Sequence, residues 1–318
     1  MSIVSFRRPR AVWLDTDPGF DDWMAWQLLM ADPNLKVLGI SVVAGNAPLE
    51  VTLSNALRIK DWNRWAIGVH AGCAAPLRQA PITAADVLGP TAMATVGRVL
   101  PSTDLRSDSK AGVDALIDAV RANPGQLTIL ALGPLTNIAC AFLKAPDLPT
   151  LIDSLVWMGG STDRGNATPA AEFNAFADPE ALDVVLNSQV KLFMVGLNAC
   201  RQVLIGSRQV DRLRQLRSER AQIFADHLDA YVGIARRRGA LEMAVYDPTA
   251  AAYLSHPEWF SFSACFVAVE LTGSHTRGMT VCDFRPKSQV RAQTKVATVI
   301  ESEPLLEWML EQLTAELQ

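Results

Sequence analysis

Cysteine is scarce in this sequence, and long hydrophobic runs are absent. The five cysteines are odd in number and show no CxxC spacing, a pattern that indicates reduced core thiols in a cytoplasmic protein rather than disulfides or a zinc site. Every apolar run is broken well before the roughly 18 residues that a membrane-spanning helix needs. The apolar stretch behind the arginines of residues 1–10 covers only residues 11–14, so we expect no signal peptide. These absences predict a soluble protein outside the membrane.

An excess of positive charge is also absent. The chain has 29 basic and 33 acidic residues, for a formal net charge of -4. Proteins that grip the phosphates of nucleic acids usually carry a strongly basic face. We therefore expect no nucleic-acid partner, and any nucleic-acid component that the protein handles should be small.

Hydrophobic residues make up 49% of the chain, and no repeat or linker interrupts them, so we expect one domain over residues 1–318. Short apolar strands are predicted at residues 11–14, 36–44, 127–132, 154–158 and 191–195. Helices are predicted at residues 22–30, 49–62 and 135–143, from Asp178-Pro179 onward, and over most of 207–254, with strand alternation again at 260–281. This alternation predicts an α/β fold with a largely parallel central sheet and helices on both faces. Ligands of such sheets bind beyond the carboxyl ends of the strands.

Four carboxylates are crowded into the eight residues directly after the first predicted strand, Asp15-Thr16-Asp17-Pro18-Gly19-Phe20-Asp21-Asp22. Like charges this close raise one another's pKa values, so a fold holds them together only around a cation or for proton transfer. Oxygen ligands without His or Cys select a hard cation, and Ca²⁺ tolerates the irregular geometry of a turn better than Mg²⁺ does. The octet therefore predicts a calcium site.

Two other interpretations of the octet are open. Asp21 and Asp22 could cap the following helix, because carboxylates favour its amino end, although Asp15 and Asp17 then stay unexplained. An Asp-x-Asp after a first strand is also typical of phosphatases of the haloacid-dehalogenase type, which use Mg²⁺. The residues after Asp17 do not continue that pattern, and its downstream Lys and acidic pair are not evident.

Further motifs follow the octet in order along nearly the whole chain. They are Ala44-Gly45-Asn46, Gly133-Pro134-Leu135-Thr136-Asn137, Met158-Gly159-Gly160, Gly165-Asn166, Glu172-Phe173-Asn174, Asp178-Pro179 and Asp247-Pro248. The series closely resembles the nucleoside hydrolases of the inosine-uridine-preferring family, which split nucleosides into ribose and free base. The resemblance implies their Rossmann-like fold. One short motif could arise by chance, whereas an ordered series of this length is specific.

The resemblance also implies a role for each matching residue. Four groups would hold Ca²⁺: Asp17, Asp22, the backbone carbonyl of Thr136 and Asp247. Asp21 would be the general base that takes a proton from a water bound to the ion, and Asp15 would support the ligands. Four side chains would bind the ribose hydroxyls: Asn46, Asn166, Glu172 and Asn174. Because the ion would also grip the 2′- and 3′-hydroxyls, we expect ribonucleosides to be preferred over 2′-deoxyribonucleosides.

Taken singly, these residues have simpler explanations. Asn46 and Asn166 each stand beside a glycine and could be turn residues. Glu172 and Asn174 could lie in a solvated loop, and Asp247 could be a helix N-cap. Only their joint presence with the octet favours the functional interpretation.

The sequence departs from the family pattern where the leaving base would lie. Tyr246 stands where many members have a His before the late Asp, and Leu88-Gly89 stands where His-Gly is common. Tyr246 could stack on the base, protonate it, or be an ordinary half-buried aromatic. Three further candidates lie on the helical stretch that borders the base in relatives: His227, Tyr231 and Arg238. Asn198-Ala199-Cys200 also replaces a frequent Asp-x-Thr.

The sequence thus predicts a Ca²⁺-dependent hydrolase of ribonucleosides. The main alternative is a calcium- and nucleoside-binding homologue that has lost turnover together with the leaving-group histidines, although the intact Asp21 argues against it. The resemblance further implies nucleoside salvage, a cytoplasmic location and a homo-oligomer, either a dimer or a tetramer.

Overall fold

The computed structural model of the protein describes residues 9–318. Residues 1–8, which carry part of the signal-peptide argument, lie outside that range, so the expectation of no signal peptide stays a prediction. Within the described range, none of the helices is both long and apolar enough to cross a membrane.

One nine-stranded sheet forms the centre of the fold. Its strands in spatial order are β10 (Thr280–Asp283), β9 (Phe260–Val269), β11 (Thr294–Ile300), β6 (Leu192–Val195), β5 (Ser154–Met158), β4 (Leu127–Ala131), β1 (Arg10–Thr16), β2 (Leu35–Val42) and β3 (Val69–Ala71). Every pair from β3 across to β11 is parallel. Only β9 runs against its neighbours. A second, two-stranded antiparallel sheet joins β7 (Leu204–Ile205) to β8 (Met243–Ala244). The single, largely parallel α/β domain is confirmed.

Helices cover both faces of the large sheet. They are α1 (Phe20–Ala31), α2 (Leu49–Asn63), α3 (Ala85–Leu88), α4 (Gly112–Ala122), α5 (Thr136–Lys144), α6 (Phe173–Ala177), α7 (Pro179–Leu186), α8 (Leu197–Cys200), α9 (Ser207–Arg214), α10 (Glu219–Arg237), α11 (Asp247–Ser255) and α12 (Ser302–Leu317). Successive residues of a strand point to opposite faces, so Leu14 joins one apolar cluster with Trp23 and Trp26. Its neighbour Trp13 joins the other cluster, with Trp157. The central sheet is therefore buried on both sides.

The carboxyl-terminal part of the fold differs in detail from the predicted pattern. The alternation at residues 260–281 covers two antiparallel strands, β9 and β10, with a loop between them in which Gly278 has a φ of 79°. That loop turns the chain back, so β9 and β10 pair with each other. Nine shorter or later elements are additional to those predicted from the sequence: β3, α3, α4, α6, α8, β7, β8, β11 and α12.

Candidate active site

A cavity of about 360 Å³ opens at the carboxyl ends of the central strands. Its wall includes Asp21 after β1, Asn46 after β2, Leu132 after β4 and Met158 at the end of β5. This is the position in which parallel α/β sheets bind ligands, because loops from neighbouring strands converge there. The site residues predicted from the sequence are spread along the chain, and the sheet brings most of them to this edge.

The turn after β1 is held by Asp22. The backbone N–H of Gly19 donates to Asp22 Oδ2 at 2.8 Å, and the hydroxyl of Thr16 donates to Asp22 Oδ1. The carboxylate thus reaches back from the first turn of α1 to cap it. The capping interpretation describes this part of the geometry, and it leaves the other three acids unexplained.

Three carboxylates meet at the cavity, although they come from two distant segments. Oxygens of Asp21, Asp22 and Asp247 all lie within 4.8 Å of one another, and all three residues are buried. Asp247 is brought there as the first residue of α11. Burial, and then the charge of Asp22, raises the pKa of Asp21 to about 7. Burial and the charges of the other two acids hold the pKa of Asp247 well above its usual range. Such a cluster is unfavourable unless a cation or protons offset the repulsion.

Asp17 lies beside this cluster in a slot between two glycines. Its Oδ2 accepts a hydrogen bond from the backbone N–H of Asn46 at 2.7 Å, and its buried Oδ1 has no partner among the described residues. A Cβ at Gly45 or Gly133 would overlap the Asp17 carboxylate. Burial, and then the charge of Asp22, holds the pKa of Asp17 well above its usual range. The glycines therefore make room for a carboxylate that still has an oxygen to offer.

The donor set fits a hard cation. Among the described residues the cluster contains only carboxylate oxygens and no His or Cys, and two buried carboxylate oxygens of the octet, Asp15 Oδ2 and Asp17 Oδ1, have no hydrogen-bond partner. Such oxygens are the ligands that Ca²⁺ and Mg²⁺ prefer. Thr136 is buried at the start of α5, where its hydroxyl donates to Asp178 Oδ2 at 2.7 Å.

Asp15 is buried beneath the cluster and links two strands to α5. Its Oδ1 accepts hydrogen bonds from the hydroxyl of Ser41 on β2 and from the amide of Asn137 on α5, the latter at 2.8 Å. Burial raises its pKa to about 7. Because Asn137 follows Thr136 directly, Asp15 helps to position the start of α5.

Glu172 and Asn174 are anchored by backbone groups at the cavity wall. Glu172 accepts hydrogen bonds from the N–H groups of Gly160, Asn174 and Ala175 at 2.8, 2.8 and 3.0 Å. The amide of Asn174 donates to the carbonyls of Leu132 and Met158 at 2.8 and 3.0 Å. Burial raises the pKa of Glu172 to about 7. Both residues are buried, so the interpretation as a solvated loop is wrong.

The two asparagines of the predicted ribose set also line the cavity. The amide of Asn46 donates to the carbonyl of Asp17 at 3.1 Å. Asn166 is exposed, and its side-chain oxygen accepts from the N–H of Phe173 at 2.9 Å. The first asparagine is thus tied to the acidic turn and the second to the start of α6.

Arg201 stabilises the loop that carries Asn166 through hydrogen bonds. Its guanidinium donates to Asp163 Oδ1 at 2.9 Å and to the carbonyls of Arg164 and Gly165 at 3.0 and 2.9 Å. Arg201 directly follows α8. Arg201 was not predicted as a site residue, because an arginine outside a motif carries no signal for such contacts.

Tyr231, Tyr246 and Arg238 also line the cavity. The hydroxyl of Tyr231 donates to the carbonyl of Ala244 at 3.0 Å and lies 3.5 Å from Asp21 Oδ2. Burial raises the pKa of Tyr246 to about 12. Leu88, where relatives often have His, also lines the cavity.

His227 lies behind the cavity instead of lining it. Its ring stacks on Phe20 and packs against Trp23, and its Nδ1 lies 3.0 Å from the carbonyl of Ala94. Burial lowers its pKa. The ring is therefore a core group that reaches the cavity only through Phe20, which packs against Tyr231.

Several cavity residues had not been predicted. They are apolar or lie in the segment before α3, and they include Ile82, Val87, Phe173, Phe176 and Met243. Phe173 stands inside a motif, whereas the others carry no pattern that distinguishes them from ordinary core residues.

Comparison with known proteins agrees with this geometry. Residues 12–307 match the family model described as inosine-uridine preferring nucleoside hydrolase. The pyrimidine-specific ribonucleoside hydrolase RihA of Shewanella baltica strain OS185 is 37% identical over 294 residues, which cover 92% of this chain and 91% of that protein.

Two solved structures superpose over nearly the whole chain. A plant nucleoside hydrolase, the PpNRh1 enzyme, has a TM-score of 0.90 at 27% identity and covers 96% of this chain and 99% of that one. A purine-preferring ribonucleoside hydrolase from Gardnerella vaginalis has the same TM-score at 26% identity and the same coverage. The phosphatase alternative does not fit these matches. This chain belongs to the inosine-uridine preferring nucleoside hydrolase family and is a hydrolase that acts on N-glycosyl bonds of ribonucleosides.

Proposed function

We propose that the protein hydrolyses ribonucleosides in a Ca²⁺-dependent reaction with Asp21 as the general base. One observation carries the proposal: carboxylate oxygens of Asp21, Asp22 and Asp247 lie buried within 4.8 Å of one another at a cavity of nucleoside-like size. A fold that brings three acids together from distant segments needs a compensating charge, and the cavity beside them needs an occupant.

Four groups would hold the cation: Asp17, Asp22, the backbone carbonyl of Thr136 and Asp247. The unpartnered Oδ1 of Asp17 supports this set, as does the fixed orientation of Asp22 through Gly19. When bound, the cation supplies positive charge that offsets the repulsion and lowers the pKa of a neighbouring water. Asp15 would hold the start of α5, and with it Thr136, in place.

Asp21 would accept the proton of the attacking water. Burial, and then the charge of Asp22, raises the pKa of Asp21 in the cation-free cluster, and a bound cation would lower it and keep the carboxylate ionised to accept the proton. Its Oδ2 lies 3.5 Å from the hydroxyl of Tyr231, which donates its proton to the carbonyl of Ala244 at 3.0 Å. The water oxygen would form the new bond to the anomeric carbon of the ribose.

The ribose would be bound by Asn46, Asn166, Glu172 and Asn174. All four side chains make hydrogen bonds to backbone groups, so their polar atoms are oriented before substrate arrives. The carboxylates around the cavity would also stabilise the positive charge that develops on the sugar as the glycosidic bond breaks. The contacts proposed for the ribose hydroxyls support a preference for ribonucleosides over 2′-deoxyribonucleosides.

Tyr246, Tyr231 and Arg238 would border the base, and His227 would act only by packing behind Phe20. The RihA relative is described as pyrimidine-specific, which supports pyrimidine nucleosides as substrates. The family resemblance supports a role in nucleoside salvage and a homo-oligomer. The five free cysteines support a cytoplasmic location.

A substrate panel tests the proposal. Purified protein is stripped with EDTA and given Ca²⁺ or Mg²⁺ in phosphate-free buffer with inosine, adenosine, guanosine, uridine or cytidine, and ribose and free base are measured. Omitting phosphate removes any contribution from a phosphorylase. We expect Ca²⁺-dependent release of both products, and loss of release in Asp247→Asn.

Asp86→Asn is the matched control, because Asp86 lines the same cavity but is exposed at its rim. This variant should keep its activity. Nucleoside binding by calorimetry without any release would favour the non-catalytic homologue.

A further inference from the structure

Among the described residues, one cationic side chain lines the cavity, and it belongs to the group proposed to border the base. Arg238 is the one Arg, Lys or His among the described residues that line the cavity. It is exposed, and the ion pairs formed within residues 9–318 do not include it. It is the residue directly after α10, at the carboxyl end of the helix that carries Tyr231, and both residues line the cavity. Its guanidinium is therefore available to a molecule in the cavity.

No histidine of the described chain lines the cavity and could protonate a departing base. His227 packs between Phe20 and Trp23, and His70 stacks on Trp13. His256 stacks on Trp259, and His275 lies in the loop between β9 and β10. Beside the base, the cavity thus offers the permanent positive charge of Arg238 instead of a histidine that could donate a proton.

The chemistry of the leaving group makes this difference important. When the bond between C1′ and the base nitrogen breaks, both bonding electrons go to the nitrogen. Without a proton donor the base leaves as an anion and takes its proton from solvent, while the proton of the attacking water goes to Asp21. A base such as uracil spreads this negative charge over two carbonyl oxygens. Cytosine has an amino group in place of one of these oxygens, and adenine has no carbonyl oxygen, so both depend more strongly on protonation.

We infer that Arg238 is a specificity-determining residue that stabilises negative charge on the departing base, so the cavity favours bases that leave as stable anions over bases that must be protonated to leave. The guanidinium presents several N–H donors in a plane and keeps its charge at any working pH. A cationic donor beside developing negative charge stabilises the transition state. The inference rests on the proposed hydrolysis, and it adds the chemical class of the base.

A series of uridines with different leaving-group acidity tests the inference. We would measure kcat/KM for 5-fluorouridine, uridine and 5-methyluridine with the wild type and with Arg238→Met. Loss of Arg238 should lower kcat/KM for uridine by about 100-fold, the size of loss that follows removal of one donor to a developing oxyanion. The loss should be smaller for 5-fluorouridine, whose base is the better leaving group, and larger for 5-methyluridine. The wild type should also have a higher kcat/KM for uridine than for cytidine, and the ratio of these two values should be smaller in Arg238→Met.

Two further variants separate charge stabilisation from a structural role. Arg238→Lys should recover part of the activity, because it restores the charge without the planar donor set. Arg237→Met removes a neighbouring exposed arginine that does not line the cavity, and it should behave like the wild type.

An equal loss of kcat/KM for all three uridines, or unchanged activity in Arg238→Met, would overturn the inference while hydrolysis itself stands. The role would belong to Tyr246 if Tyr246→Phe lowered kcat/KM sharply, with a loss that grows from 5-fluorouridine to 5-methyluridine, while Arg238→Met kept the kcat/KM of the wild type. A wild type that hydrolyses none of the ribonucleosides would overturn the proposed function and this inference together.

Discussion

Replacing Asp21 by Asn should make the cation-free protein more stable and the enzyme much slower. Burial, and then the charge of Asp22, raises the pKa of Asp21 to about 7 from an ordinary value of 3.8. Folding therefore favours the protonated form of this carboxyl group. Its contribution to stability is fully present below about pH 4 and is lost as the pH rises through about 7.

The size of the effect follows from the two pKa values. The difference between 3.8 and about 7 corresponds to at most about 4 kcal/mol of unfolding free energy. An asparagine has no proton to lose, so Asp21→Asn should be more stable than the wild type by up to about 4 kcal/mol at pH 8 and equally stable near pH 4. Loss of the general base should lower kcat by about 100- to 10,000-fold.

Two assays check these opposite changes. Urea unfolding in EDTA at pH 4 and pH 8 measures stability, and ribose release in Ca²⁺ measures kcat. Asp86→Asn makes the same chemical change at an exposed residue of the same cavity, and it should alter neither. If Asp21→Asn gained no stability at pH 8, the described electrostatics of the cluster would be wrong. If it kept full activity, Asp21 would not be the base.

Three more predictions follow from the acidic cluster and the loops around it. In differential scanning fluorimetry, Ca²⁺ should raise the melting temperature more at pH 8 than at pH 5, because ligands must lose their protons before they bind metal. Asp247→Asn should abolish this rise in melting temperature. Gly45→Ala puts a Cβ into the Asp17 carboxylate and should weaken Ca²⁺ binding by calorimetry, whereas Gly233→Ala, which has room, should not. Arg201→Met releases three contacts to one loop and should raise KM for uridine more than it lowers kcat, with partial recovery in Arg201→Lys.

Strands β1, β2 and β4 were predictable because each is a short, mostly buried run. Each is followed by a segment whose apolar residues recur at helical spacing. β3 has only three residues, too few to show any period. β11 carries exposed residues among its buried ones, since it lies between the parallel strands and the antiparallel β9. Its pattern is consequently weaker than that of β4 or β5, which are buried throughout.

The site was predictable only in part. The residues of the octet are close in sequence, so their proximity in space follows from the turn itself. The approach of Asp247 depends on how α11 packs against α1, and no local pattern contains that information; the family resemblance supplied it. His227 was a candidate because it lies on the same helical stretch as Tyr231, one turn before it on α10. Its ring, however, packs against Phe20 and Trp23. Helical spacing locates a face and does not tell which residues of that face reach a cavity.

Calcium-dependent hydrolysis is tested most directly by titrating one sample of EDTA-stripped protein with Ca²⁺ in phosphate-free buffer with uridine. Bound calcium, ribose and uracil are measured at each step. We expect no release before Ca²⁺ is added, then release of ribose and uracil in equal amounts that reaches its maximum when one ion is bound per chain. Release that persists in EDTA, or that returns with Mg²⁺ and not with Ca²⁺, would contradict a calcium-dependent mechanism.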